Sequence, residues 1–215
     1  PDQADAVRAL LRTVSPGAEP VLIPVLRARI TAIRGSETEL DSYDAVRSRG
    51  GGLGREYVVT YRPGLADNER LVAGQFWPSS PPVGAQVSIE EGLAERQRLK
   101  VGDAMRFDIL GRTFEATIAS IRAVDWADAR EGGFMFVFRP GVLESAPATF
   151  ISPVKGPPAA DARARFQRDL TARFPNVTVI DVQEVLAGVT RVLRNVSLAI
   201  TIVGFPVALL LRVLF

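Results

Sequence analysis

The sequence predicts an α+β fold: a discontinuous α/β part interrupted by an inserted β-rich lobe, followed by a C-terminal helix. Three observations predict it. The last quarter of the chain reads strand, helix, strand, helix, whereas the middle alternates apolar and polar residues at period two around one short helical stretch. The 215 residues, 47% apolar and 23% charged, can bury a real core. Residues 196–211 carry no charge, so the final helix leaves the polar world of the rest.

The elements follow in order. Residues 2–14 set Val7, Leu10, Leu11 and Val14 on one helical face, and Ser15-Pro16-Gly17 ends that helix. Residues 21–33 read as a half-buried strand, with Leu26, Ala28, Ile30 and Ala32 facing in and Arg27, Arg29, Thr31 and Ile33 alternating with them. Residues 35–55 read as a polar, flexible loop ending in a glycine cluster from Gly50 to Gly54. The cluster lacks a following Lys-Ser/Thr pair, GxGxxG spacing and a following helix, so it is not read as a phosphate loop. A strand over 56–61 comes next, closed by Pro63-Gly64.

Residues 67–77 show no clear pattern and lead into a proline-rich turn at 78–82. Ser88 and Glu91 stand three apart, as a capping box opening a short helix through Arg98. A hairpin follows, with Met105, Phe107 and Ile109 on one face, a tight turn at Gly111, and Phe114, Ala116 and Ile118 facing inward on the return. Residues 121–124 continue the extended chain, and Phe134, Phe136 and Phe138 mark a strongly β-prone strand whose face reads as core. Strands over 148–154 and 177–180 flank a helix over 159–173 that carries Ala162, Phe166 and Leu170.

At the C-terminus, Asp181 and Glu184 read as a capping box. Leu186, Val189, Leu193, Val196, Ile200 and Val203 then recur at helical spacing, with Arg191, Arg194 and Asn195 on other faces. Beyond Val196 the helix is apolar all round. Sixteen residues at 196–211 would span roughly 24 Å, against roughly 30 Å for a bilayer core. Two readings fit that run: a helix entering a membrane, or a buried C-terminal helix. The simplest expectation is an extramembrane piece of a longer membrane protein.

Composition excludes much chemistry. With no His and no Cys, the chain has no Ser-His-Asp or Cys-His machinery, disulfide, thiolate or zinc ribbon. Any metal site would rest on carboxylates. Net charge is +2, and the cations, all Arg except Lys100 and Lys155, are spread among acids rather than clustered, which argues against nucleic acid as a partner. Two alternatives remain: a membrane-anchored binding module, and a carboxylate-based hydrolase drawing on Asp103, Asp108, Asp125, Asp128 and Glu131. The loop from Asp125 to Glu131 is the most pocket-like acidic segment. Trp77, Asp125, Trp126 and Asp128 are the candidate contacts to a partner or substrate, with core packing the plainer role for the two Trp residues.

Several strings carry a family resemblance. They are Tyr57-Val58-Val59-Thr60-Tyr61-Arg62, Asn68-Glu69 and Gly74-Gln75-Phe76-Trp77, then the run from Val87 to Arg96 and Leu99-Lys100-Val101-Gly102-Asp103. Phe107-Asp108, Gly111-Arg112, Val124-Asp125-Trp126 and the segment from Pro140 to Thr149 complete the set. Together, over roughly residues 1–200, the chain resembles the extracytoplasmic domain of an FtsX-like ABC-transporter permease of the MacB/LolC/LolE superfamily, nearest its YbbP-type branch.

The resemblance implies a Porter-like α/β domain over 1–66 and 146–190, a Sabre-like β-rich lobe over 67–145, and a stalk with the start of a transmembrane helix over 191–215. It implies no enzyme activity and no cofactor in this chain, since ATP is hydrolysed by a partner ATPase in the cytoplasm; no Walker motif occurs here. Implied partners are that ATPase, the membrane, and a second or homologous permease copy. The implied location is the bacterial inner membrane with this domain on the periplasmic side, exporting or releasing a hydrophobic or amphiphilic substrate. Gly188, Val189, Arg191, Leu193 and Val196 would lie on the helix that couples domain to membrane.

Overall fold

The computed structural model describes residues 3–14, 20–77, 84–128 and 133–182. The chain divides into two compact units, Gly17–Val154, and Pro1–Pro16 with Lys155–Phe215. In chain order the elements are α1 (Ala4–Val14), β1 (Ile23–Arg34), β2 (Glu39–Leu40), α2 (Tyr43–Ser48), β3 (Glu56–Tyr61), β4 (Glu69–Gly74) and β5 (Ala85–Glu90). They continue with α3 (Glu91–Gln97), β6 (Ala104–Ile109), β7 (Arg112–Val124), a 3-10 turn (Trp126–Asp128), β8 (Phe136–Phe138), β9 (Thr149–Ile151) and α4 (Ala160–Arg173).

The larger unit is built on a closed β-barrel. β1 pairs with β3 along one edge and with β6 along the other. β3 pairs in parallel with β8, and β8 pairs antiparallel with β5. β5 pairs in parallel with β7, and β7 returns to β6 through a hairpin. Each of these six strands therefore has two neighbours, and the ring has no open edge. β2 and β9 extend the two ends of β1. β4 joins β7 at residues 120–124, on the edge that β6 leaves free beyond Thr117.

A six-stranded ring is narrow enough for side chains to fill it. Phe107 sits at the centre, its ring centroid 5.3 Å from Phe136, 5.0 Å from Phe138 and 6.1 Å from Phe114. Tyr57 meets Phe136 edge-on at 4.9 Å. Such offset and edge-to-face pairs add to the area the rings bury. Ile30, Val59, Val87, Ile89, Met105 and Ile118 are fully buried around them. The hairpin expected at Gly111 is present: Leu110 and Gly111 have φ of 53° and 81°, the paired left-handed residues of a two-residue turn, and Phe107 stands opposite Phe114.

The fold departs from the sequence expectations at several places. β1 and β3, expected in the α/β part, close the same ring as β5 to β8, expected in the inserted lobe, so no boundary of the fold falls at 66/67. Ile33 is fully buried like Ala32, because a register shift between Ile30 and Ala32 resets the alternation. The loop expected over 35–55 contains β2 and α2: Ser42 caps α2 by accepting from the Ala45 N–H at 3.3 Å, and Val46 and Leu53 are fully buried. Gly50, Gly51 and Gly52 all have left-handed φ there, a course open chiefly to glycine.

The patternless stretch over 67–77 contains β4, which takes its place by pairing with β7 rather than by burying its own apolar side chains. Ser88 does not cap α3. β5 runs through Ser88 to Glu90, and Glu90 is the N-cap, its carboxylate accepting from the N–H groups of Gly92 and Leu93 at 2.9 and 2.7 Å. The strand expected over 148–154 is present as the three-residue β9, with Phe150 and Ile151 open to solvent.

In the second unit α1 and α4 match the expected helices, with Leu11 and Leu170 buried. Arg163 of α4 donates to the carbonyls of Pro157 and Pro158 and, through Nε, to Asp181 at 2.7 Å. Residues 177–180 form no strand: they have no ladder partner and Ile180 is exposed. The helix expected after Asp181, with Gly188, Val189, Arg191, Leu193 and Val196, lies outside the described residues. Among the described residues no helix is long and apolar enough to cross a membrane.

Candidate functional site

The chain leaves β3 at Arg62, forms β4 on the outside of β7, and comes back to Trp77, whose indole N–H donates to the Arg62 carbonyl at 2.8 Å. Segment 62–77 is thus an excursion closed at its own base, in the manner of an Ω-loop. The rings of Phe76 and Trp77 meet at 4.4 Å, tilted by 42°, and pack on Ile23, Phe134 and Val137, a small core separate from the barrel interior.

Beneath the excursion lies a buried ion network. The Glu69 side chain is fully buried, as is the guanidinium of Arg122, whose Nε donates to Glu69 Oε1 at 3.0 Å. Arg122 Nη1 donates to the Ser88 carbonyl at 2.9 Å, and Nη2 to the Phe134 carbonyl. The second carboxylate oxygen of Glu69 accepts from Arg62 and from the Ala66 N–H. Burial pushes the Arg122 guanidinium below its ordinary pKa, and the facing Glu69 carboxylate opposes that shift. One Arg side chain on β7 thereby ties β4, β5 and the approach to β8. Next to it Ser120 Oγ donates to Ser88 Oγ at 2.8 Å, so two hydroxyls buried on neighbouring strands satisfy each other.

Sequence reading missed this network. Simple parity misplaces Arg122: a register shift after Ile118 resets the alternation, so Ile121 joins Ala116 and Ile118 on the core while Ser120 and Arg122 turn to the other face with Ser88. The role of Arg122 also depended on Glu69, which is 53 positions away in sequence and reached only in the folded state.

The expected contact residues separate. Trp77 is half-buried in the small core and committed to Arg62, so it offers little ring surface to a partner. Asp125 forms an Asx turn, its Oδ1 accepting from the Ala127 N–H at 3.0 Å. Its backbone exchanges two hydrogen bonds with Asn68, at 2.8 and 3.1 Å, which fastens the far end of β4. Trp126 is 48% exposed, with its ring laid against Gly133, where an added Cβ would come within 2.1 Å of it. Asp128 closes the 3-10 turn with its backbone; its side chain, like Glu131, is outside the described residues.

The other candidate acids serve as acceptors within the scaffold. Asp103 accepts from the N–H groups of Ser36 and Lys100 at 2.9 and 2.8 Å. Asp108 faces the hairpin turn at Gly111. Among the described residues no three or more Asp or Glu side chains gather where they could hold a metal. The described geometry assembles a polar clamp, with each described carboxylate of the set engaged by backbone.

Three comparisons bear on what this molecule is related to. No family model matches the chain. A solved domain assigned to a permease of Porphyromonas gingivalis is 12% identical, covering 78% of this chain and 69% of that one at a TM-score of 0.37, too low to carry the fold. The Escherichia coli K12 protein described as the uncharacterized ABC transporter permease YbbP is 32% identical over 163 residues, which is 76% of this chain and 18% of that protein. The matched chain therefore corresponds to under a fifth of its relative's length. On that sequence identity, the chain is similar to one stretch of an ABC-transporter permease of the YbbP type.

Proposed function

We propose that this chain is the periplasmic part of an inner-membrane permease. Driven by a partner ATPase, the permease would move a hydrophobic or amphiphilic substrate out of the membrane or past it. The observation that carries the reading is the 32% identity to a permease over three quarters of the chain. A filled barrel interior and carboxylates engaged as scaffold acceptors are compatible with a part that holds and moves rather than one that makes bonds. In this reading the ATPase engages the membrane portion, a second or homologous permease copy completes the transporter, and this chain itself needs no cofactor. The barrel unit would take the role of the outer lobe. The helical unit, with Gly188, Val189, Arg191, Leu193 and Val196 on its last helix, would pass motion from the membrane.

The side of the membrane is directly testable, because the chain has no Cys of its own. A single Cys at Leu110, which is 65% exposed on the hairpin tip, in a Cys-free full-length background, should react with a membrane-impermeant maleimide in spheroplasts. Labelling only after lysis would refute the periplasmic placement. For coupling, a Gly-Ser insertion at Gly188 should leave ATP hydrolysis running while abolishing export. Export at the unaltered rate would sink mechanical transmission through that helix.

A further inference from the structure

We propose that segment 62–77 is a strap that unlatches from the barrel as one unit, with Glu69 as its catch. Four observations converge on it. First, the segment begins and ends at one point, where Trp77 meets the Arg62 carbonyl, so it swings out without pulling on β3 or β5. Second, it lies on the barrel rather than in it: the six-strand ring closes without β4, which only extends β7 past the end of β6.

Third, beyond its base, where Phe76 and Trp77 stay packed on Ile23, Phe134 and Val137, little apolar surface holds the strap down. Ala66 is buried, but Leu65, Leu71 and Val72 remain 39–41% exposed in the closed state. What fastens it is polar: the ladder to β7, the Asn68–Asp125 pair, the Gln75 N–H to the Ala119 carbonyl, and the Glu69 ion pairs. Water replaces every one of these on opening, which an apolar contact does not allow. Fourth, the catch is incompletely satisfied, since Arg62 Nε is buried with no hydrogen-bond partner. Opening hydrates Arg62, Glu69 and Arg122 together and uncovers the β7 edge at residues 120–124.

An element held by polar contacts opens at low free energy and exposes little surface in doing so. Hydrogen exchange in the full-length protein, followed at low urea concentrations, reads both properties. The reporters are the amides of Gln75 and Asp125, which bond across the strap boundary, against the amide of Ile118, which bonds to Asp103 in the barrel at 2.8 Å. Gln75 and Asp125 should exchange faster and with little dependence on urea, while Ile118 exchanges with the steep dependence of global unfolding. Glu69→Gln should accelerate the two strap amides by about tenfold or more and leave Ile118 unchanged. The proposal is overturned if strap and barrel amides share one urea dependence, or if Glu69→Gln moves both sets equally or neither. Should Glu69→Gln fail to fold, the urea dependence of the unmodified protein decides alone.

Discussion

Arg122 and Glu69 face each other at 3.0 Å with no solvent on either side chain. Their roles in the fold are unequal. Arg122 also holds the carbonyls of Ser88 and Phe134, inside the barrel wall, whereas Glu69 belongs to the excursion outside it. Arg122→Ala should therefore lower global stability by about 3–5 kcal/mol, because it strips the donor from the Ser88 and Phe134 carbonyls as well as from Glu69. Glu69→Ala should cost only about 1–2 kcal/mol, because lifting the strap returns Arg122 to water. Urea unfolding of both variants checks the asymmetry, and equal losses would contradict it.

Gly74 ends β4 with φ of +76°, and an added Cβ would stand 2.3 Å from the Ala119 carbonyl oxygen and 3.0 Å from Val101. Gly111 shares the left-handed φ, but its Cβ would meet open space. Gly111→Ala should cost about 1 kcal/mol from backbone strain alone. Gly74→Ala should exceed about 2 kcal/mol, because strain and clash add. Thermal melts of the pair separate the two contributions.

Glu90 caps α3 through two hydrogen bonds while lying almost buried at the end of β5. Glu90→Ala should destabilise by about 1–2 kcal/mol, and Glu90→Gln, which keeps an acceptor, by less. If Glu90→Ala is neutral in urea titrations, the cap is not where the structure puts it.

Lys100 and Glu37 form an exposed ion pair joining the loop after β1 to the turn after α3. The hydrogen bond and charge of Lys100 hold the Glu37 carboxyl below its ordinary 4.5, and Glu37 in turn raises Lys100. A folded pKa below the unfolded one means the pair's contribution is complete above about pH 4.5 and fades as pH falls through the lowered value. In NMR titration, Lys100→Ala should return the Glu37 midpoint toward 4.5, and about 1 M salt should do so partly, because both groups are in water. A midpoint indifferent to the substitution would rule the pair out.

Much of the fold was legible in the chain. The β6–β7 hairpin, with Phe107 facing Phe114, followed from period-two alternation and a turn glycine, both local signals. The strand at 56–61 and the helices α1 and α4 were read from signals equally local. The clamp was not legible. Ser88 looked like a helix cap because Glu91 stands three residues on, yet β5 reaches Glu90 by pairing with β7 and β8, and its pairing overrides the local motif. β4 carries no pattern of its own because one of its side chains is turned to a buried Arg and the others to solvent.

By itself the sequence determined the alternation that makes strands, the turns between them, the lack of His and Cys chemistry, and the likeness to a permease. Tertiary structure alone decided that the strands close into one barrel across the expected 66/67 boundary, and that Glu69 meets Arg122. The physical reason is range. Periodicity and capping act over a few residues, whereas ring closure and the pairing of buried charges join positions dozens of residues apart, and these are specified only when hydrogen-bonded edges and desolvated charges must all find partners at once.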